Sequence, residues 1–122
     1  MFDFRMLVSA IIFVSLDAVY LNLSKNYFSK QVQAIQGSKI EFNMLAAVIC
    51  YIFLIIGLNY FIIRPRRDVS DAFLFGIVIY GVYETTNWAI FKNWTALSVI
   101  IDTLWGGTLF ALTTFIMRGF KL

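Results

Sequence analysis

From residue 42 to residue 63 the chain runs for 22 residues without a charged side chain. A helix of that length rises about 33 Å, enough to cross the roughly 30 Å hydrocarbon core of a bilayer. Residues 4–23, 69–91 and 95–117 form three further stretches of similar length and character. Hydrophobic residues make up 61% of the 122, and charged ones only 14%. A soluble domain of this size buries too small a share of its surface to hide so much apolar material, whereas lipid can take it. The mean hydropathy of +0.81 agrees. The expected fold is therefore an all-α integral membrane protein. Residues 1–122 form a single transmembrane domain, a four-transmembrane-helix bundle with helices at about 4–23, 42–63, 69–91 and 95–117.

The segments between these runs carry their own signals. In residues 24–41, Phe28, Val32 and Ile35 recur at helical spacing, while Lys25, Lys30, Gln31, Gln33 and Gln36 take the other positions. This pattern predicts a short amphipathic interfacial helix between helices 1 and 2, stopped near Gly37. Asp17 interrupts the first run, which reads as a retained helix rather than a cleaved leader. After the second run, Pro65 breaks the helix, and Arg64, Arg66 and Arg67 serve topology and lipid-headgroup contact. Lys92, Asn93 and Trp94 form a tight hairpin, with Trp88 and Trp94 as interfacial anchors. The net charge of +3 does not point to nucleic acid, because the basic residues lie between apolar runs and face headgroups. Four crossings place Arg5, Arg64, Arg66, Arg67, Arg118 and Lys121 on one side, against Lys25, Lys30, Lys39 and Lys92 on the other. That bias predicts a multi-pass protein with both termini cytoplasmic.

Several chemistries are excluded at once. With no histidine and a single cysteine, Cys50, the chain lacks ligands for zinc, haem or iron–sulfur centres and has no disulfide framework. Histidine-dependent nucleophilic triads are excluded too, so an enzyme is not the favoured reading and no cofactor is expected.

What remains are acids in the wrong place. Three of the seven acidic residues, Asp17, Glu84 and Asp102, fall deep inside predicted crossings, and no basic residue does. Each costs about 3 kcal/mol at membrane depth, so each needs a reason. All three lie about seven residues from the same end of their helices, roughly 10 Å beneath one surface. Their helical neighbours are polar or small: Tyr20 beside Asp17; Tyr80, Tyr83 and Asn87 around Glu84; Trp105 and Gly106 after Asp102. Such stripes belong in a bundle interior. The expectation is one polar pocket in which the carboxyls raise one another's pKa and at least one holds a proton. Alternatively they bind a hard cation such as Ca²⁺, Mg²⁺ or Na⁺, or accept the snorkelling side chains of Lys25 and Lys92. The blander alternative is interhelical glue, each acid contributing about 0.6–2 kcal/mol through hydrogen bonds.

These residues also carry a resemblance. Asp17-x-x-Tyr20-Leu21, Gly57-Leu58-x-Tyr60-Phe61 before Arg64-Pro65, Tyr80-x-x-Tyr83-Glu84-x-Thr86-Asn87-x-Ala89, Trp94, and Asp102-x-x-Trp105-Gly106 occur in that order. Over nearly its whole length the chain is similar to an uncharacterised family of small four-helix bacterial and viral predicted membrane proteins, a domain of unknown function. The resemblance implies four helices and singles out the same acids. The family usually has aspartate at Glu84 and proline at Thr95.

Three functions fit these residues. The first is permeation or transport of a proton or hard cation, with Asp17, Glu84 and Asp102 as the binding cluster, Tyr80 and Asn87 orienting it, and Trp105 and Gly106 shaping the wall. A four-helix pore is narrow, so a homo-oligomer embedded in the lipid bilayer is expected. The second is a lipid- or small-molecule-handling membrane enzyme or accessory, which predicts a pocket with an apolar extension open to the bilayer. The third is a structural interaction module held by protonated acids.

Overall fold

No glycine or proline interrupts the chain between Asp3 and Gly37, and one helix, α1, spans Phe4–Gln36. The computed structural model describes residues 3–122, and no strand occurs among them. After α1 come α2 (Met44–Leu58), continued by a π-helical segment (Asn59–Ile63), then α3 (Val69–Ile90) and α4 (Ala96–Gly119). Three of these are long and apolar enough to cross a membrane: α1, the combined Met44–Ile63 helix, and α4. The remaining helix, α3, has 22 residues but carries Asp71, Glu84 and Asn87 among its apolar ones.

The expected break between a first crossing and a separate amphipathic helix is absent, since α1 passes through Ser24 without interruption. The Ser24 hydroxyl donates to the Tyr20 carbonyl one turn back, at 2.8 Å, so the polar side chain is satisfied within the helix. Termination comes at Gly37, as expected. It adopts φ 75°, where a side chain would be strained, and its N–H bonds to the Gln33 carbonyl. At 33 residues, α1 is about 50 Å long and exceeds the roughly 30 Å hydrocarbon core by several turns.

The tightest packing joins α3 to α4. A Cβ on Gly76 would strike the Gly106 carbonyl, and one on Gly106 would strike the Tyr80 ring. Small residues thus let the two backbones touch. Antiparallel register between α1 and α4 is fixed at three levels. Phe13 meets Phe110 edge-on at 5.3 Å, Asp17 faces Trp105, and Tyr27 faces Ser98 at 2.9 Å. The buried core around Phe13, Leu58, Leu109 and Phe110 lies toward the end that carries the termini. There, Asn59 begins the π segment, buried, with Nδ2 donating to Ser9 Oγ and to the Ile55 carbonyl, each at 2.9 Å.

Charged groups gather at the same end. Asp3 caps α1, accepting from the Met6 N–H at 3.1 Å, and stands 3.7 Å from Arg64. Arg67 pairs with Asp71 at 3.1 Å, while the Arg118 guanidinium donates to the Arg67 carbonyl. Arg64, Arg66 and Arg67 therefore lie in the exposed turn before α3.

Candidate functional site

Asp17 sits mid-way along α1, three residues before Tyr20, and Asp102 sits on α4, three residues before Trp105. A spacing of three puts each pair on one helix face. Because α1 and α4 are antiparallel, the pairs cross. The Trp105 indole N–H donates to Asp17 Oδ1 at 2.8 Å, and the Tyr20 hydroxyl donates to Asp102 Oδ1 at 3.1 Å. The two rings stack at 4.7 Å and 5° between planes. The acids stand at opposite corners of this arrangement and the stacked rings fill the other two. Asp17 Oδ2 accepts a second bond from Tyr51 on α2.

Glu84 joins Asp102 instead. Their carboxyls are close neighbours and line one cleft. Glu84 is 1% exposed, and its Oε1 accepts from the Trp94 indole at 3.0 Å. The three expected acids are thus divided into a Glu84–Asp102 pair and a separately satisfied Asp17. Among the described residues, no group of three or more acidic or cysteine side chains is placed to hold a metal ion.

The supporting residues sort differently from expectation. Tyr20 and Trp105 bond directly to acids, Gly106 receives the Tyr80 ring, and Tyr83 is exposed beside the pair. Asn87 is buried one turn beyond Glu84, but its side chain makes no hydrogen bond to either carboxyl among the described residues. Trp88 is exposed as an anchor would be, whereas Trp94 is buried and bonded to Glu84. Lys25 and Lys92 form no ion pair with Asp17 or Glu84; the described salt bridges lie at the other end of the bundle.

Two contributors escaped the sequence reading. One is Tyr51, a hydroxyl-bearing residue within the uncharged run of residues 42–63. The other is a bracket between the α1 extension and the α3–α4 hairpin. Buried Gln31 donates to the Asn93 carbonyl at 2.5 Å and accepts from Ser98 at 2.7 Å and Thr95 at 3.2 Å. Asn93 in turn donates to the Ala34 carbonyl at 3.0 Å.

The pair forms part of the lining of a cleft of about 390 Å³, walled largely by Leu21, Phe28, Val32, Ile40 and Phe42, with Lys25 among its lining residues. On the other side of Asp102 lies a second crevice, of about 340 Å³, between α2 and α3. Both volumes fall in the range of roughly 300–1,000 Å³ typical of ligand sites.

Residues 4–118 match the family described as predicted membrane protein (DUF2177), whose function is unknown. The chain belongs to this family. No curated protein and no solved structure matches it. The family match spans all three acids, both stacked rings and the Trp94 hairpin. At Thr95, where resemblance leads one to expect proline, the side chain caps α4 by accepting from the Ser98 N–H at 3.2 Å. At Glu84, the longer arm is the one that meets Trp94.

Proposed function

We propose that this membrane protein binds an amphiphile, with the Glu84–Asp102 pair receiving a cationic or hydrogen-bond-donating head and apolar walls receiving its chain. In this reading α3 is a fourth crossing, and the arginine-rich end carrying both termini faces the cytoplasm. The observation that carries the proposal is a pair of neighbouring carboxyls in a cleft whose other walls are mainly apolar. A polar centre under apolar walls suits a ligand with one polar group and one hydrocarbon part.

Permeation of a proton or hard cation draws less support from the same geometry. Three carboxyls do not face one ion. A proton moving from Asp17 toward Asp102 would meet the Trp105 indole, which donates but cannot accept.

Titration of the protein in nanodiscs with dodecylamine and with dodecanoate, followed by tryptophan emission, tests the proposal. The amine is expected to bind and the carboxylate not. Glu84→Gln together with Asp102→Asn should weaken amine binding by about tenfold or more, the loss of a charge-assisted bond. Equal response to both amphiphiles, unchanged in the double amide, overturns it.

A further inference from the structure

We infer that the hydrocarbon chain of this amphiphile lies in the crevice between α2 and α3, so that the ligand reaches the carboxyl pair sideways from within the bilayer. The inference rests on the amphiphile reading and adds the path and the place of the chain.

Four observations lead there. First, Asp102 and Tyr83 line both the cleft and the crevice, so the two cavities share a wall at the carboxyl pair. Second, the rest of the crevice is Cys50 and Leu54 from α2 with Ile79 and Tyr80 from α3, and no basic residue lines it. The cleft, by contrast, has Lys25 in its lining, which repels a cationic head approaching by that route. Third, Tyr51 of α2 and Asn59 of its π segment bond toward α1 rather than α3, Tyr51 to Asp17 and Asn59 to Ser9. No hydrogen bond between side chains ties α2 to α3 among the described residues, so this seam has only apolar contacts holding it. Fourth, the seam is closed toward the termini, where Phe75 lies against Gly57 and packs on Phe61 at 5.5 Å. Above that plug it opens at the level of Asp102. A hydrocarbon chain in this slot replaces lipid contact with protein contact, while the head meets the carboxyls without first crossing the Lys25 side.

A dodecylamine carrying a diazirine at its chain terminus, photolysed on the wild-type protein in nanodiscs and mapped by peptide mass spectrometry, tests this. Labels on Cys50, Leu54 or Ile79, competed by unlabelled dodecylamine and reduced about tenfold by Glu84→Gln with Asp102→Asn, are the expected result. Competed labels on Phe28, Val32, Ile40 or Phe42 overturn the lateral path while leaving amphiphile binding intact. Labelling that neither competitor nor the double amide reduces overturns the binding reading itself, and the path with it. As a second measurement, Ile79→Trp and Leu54→Trp, each narrowing the crevice, should weaken dodecylamine binding about tenfold and leave butylamine binding unchanged. Equal affinity of wild type and both variants for dodecylamine overturns the placement of the chain.

Discussion

Tyr20 and Trp105 stack face to face at 4.7 Å, and each donates a hydrogen bond to the acid that stands three residues before the other. The same i, i+3 unit, acid then aromatic donor, is thus used twice in opposite directions. Antiparallel helices bring the units together with their roles exchanged. The arrangement satisfies two acids of long apolar helices with neutral donors, where a salt bridge would have needed a buried cation. It also keeps Asp17 out of the pair formed by Glu84 and Asp102. The three acids are thus placed differently: Asp17 holds α1 to α2 and α4, and Glu84 and Asp102 line the cleft.

Separating the ring contact from the hydrogen bond gives the first prediction. Tyr20→Phe keeps the stack and loses only the bond to Asp102, a cost of about 0.6–2 kcal/mol. Tyr20→Leu loses both and should cost about 0.5–1.5 kcal/mol more, the worth of an aromatic pair. At the neighbouring corner, Asp17→Asn retains an acceptor for Trp105 and a partner for Tyr51, so it should be milder than Asp17→Leu, which strands both donors. Thermal unfolding followed by circular dichroism in one detergent checks the order. Equal stability of Tyr20→Phe, Tyr20→Leu and wild type would show that the crossed unit contributes nothing.

How much of this was legible beforehand follows from what each signal depends on. The boundary at Pro65 and the stop at Gly37 are local backbone chemistry, and both are visible in one or two residues. The acids were visible because a carboxyl in an apolar run is costly wherever it points. Their division was not, because depth along a helix says nothing about rotation around it. Asp17 and Glu84 lie at similar distances from the ends of their predicted crossings but face different neighbours. The continuity of α1 was hidden because an amphipathic pattern after an apolar run is the same whether the helix bends at the surface or continues straight. The bond from Trp94 to Glu84 was hidden for a related reason: an indole next to a hairpin is amphipathic in either setting, and only tertiary packing brings its N–H to Glu84.

Glycines at the α3–α4 crossing give a graded prediction. Gly76→Ala forces a methyl into the Gly106 backbone and Gly106→Ala into the Tyr80 ring. Neither neighbour is a free side-chain tip, so each should cost about 1–3 kcal/mol or more. At Gly81 the nearest atom to an added Cβ is the Thr103 methyl at 3.6 Å, an ordinary contact. Gly81→Ala should therefore be neutral or slightly stabilising, since alanine favours helix by up to about 1 kcal/mol. Unfolding midpoints of the three variants in one detergent decide this, and a Gly76→Ala as stable as Gly81→Ala would contradict the close crossing.

The cap at the start of α1 sets a pH dependence whose sign can be worked out. The Met6 N–H bonded to Asp3 and the nearby Arg64 hold the Asp3 carboxyl below its ordinary value. A depressed folded-state pKa means the cap's contribution is fully present above the unfolded value of about 3.9 and is lost as pH falls through the folded value. Amide exchange at residues 5–8 should accelerate as pH drops below about 4 beyond the intrinsic trend. Asp3→Asn, which caps without a titrating group, should abolish that acceleration. The same acid-side rise in Asp3→Asn would assign it to some other group.

The α1 extension supplies the last prediction. An amphipathic segment lying free on a membrane surface would fray independently of the hairpin. Here, Gln31 joins the Asn93 carbonyl, Thr95 and Ser98 from its buried position, and Tyr27 reaches the same two hydroxyls. Removing Gln31 takes a donor from the Asn93 carbonyl and an acceptor from the Thr95 and Ser98 hydroxyls, a cost of about 0.5–1.5 kcal/mol per bond. Because Phe28 and Val32 of the same segment wall the cleft, the loss should be felt there too. Gln31→Ala is expected to raise amide exchange across residues 27–36 by about tenfold or more, with little change in residues 6–20. Exchange in the extension that is already fast in the wild type, and unmoved by Gln31→Ala, would mean the bracket does not hold the helix against the hairpin in the membrane.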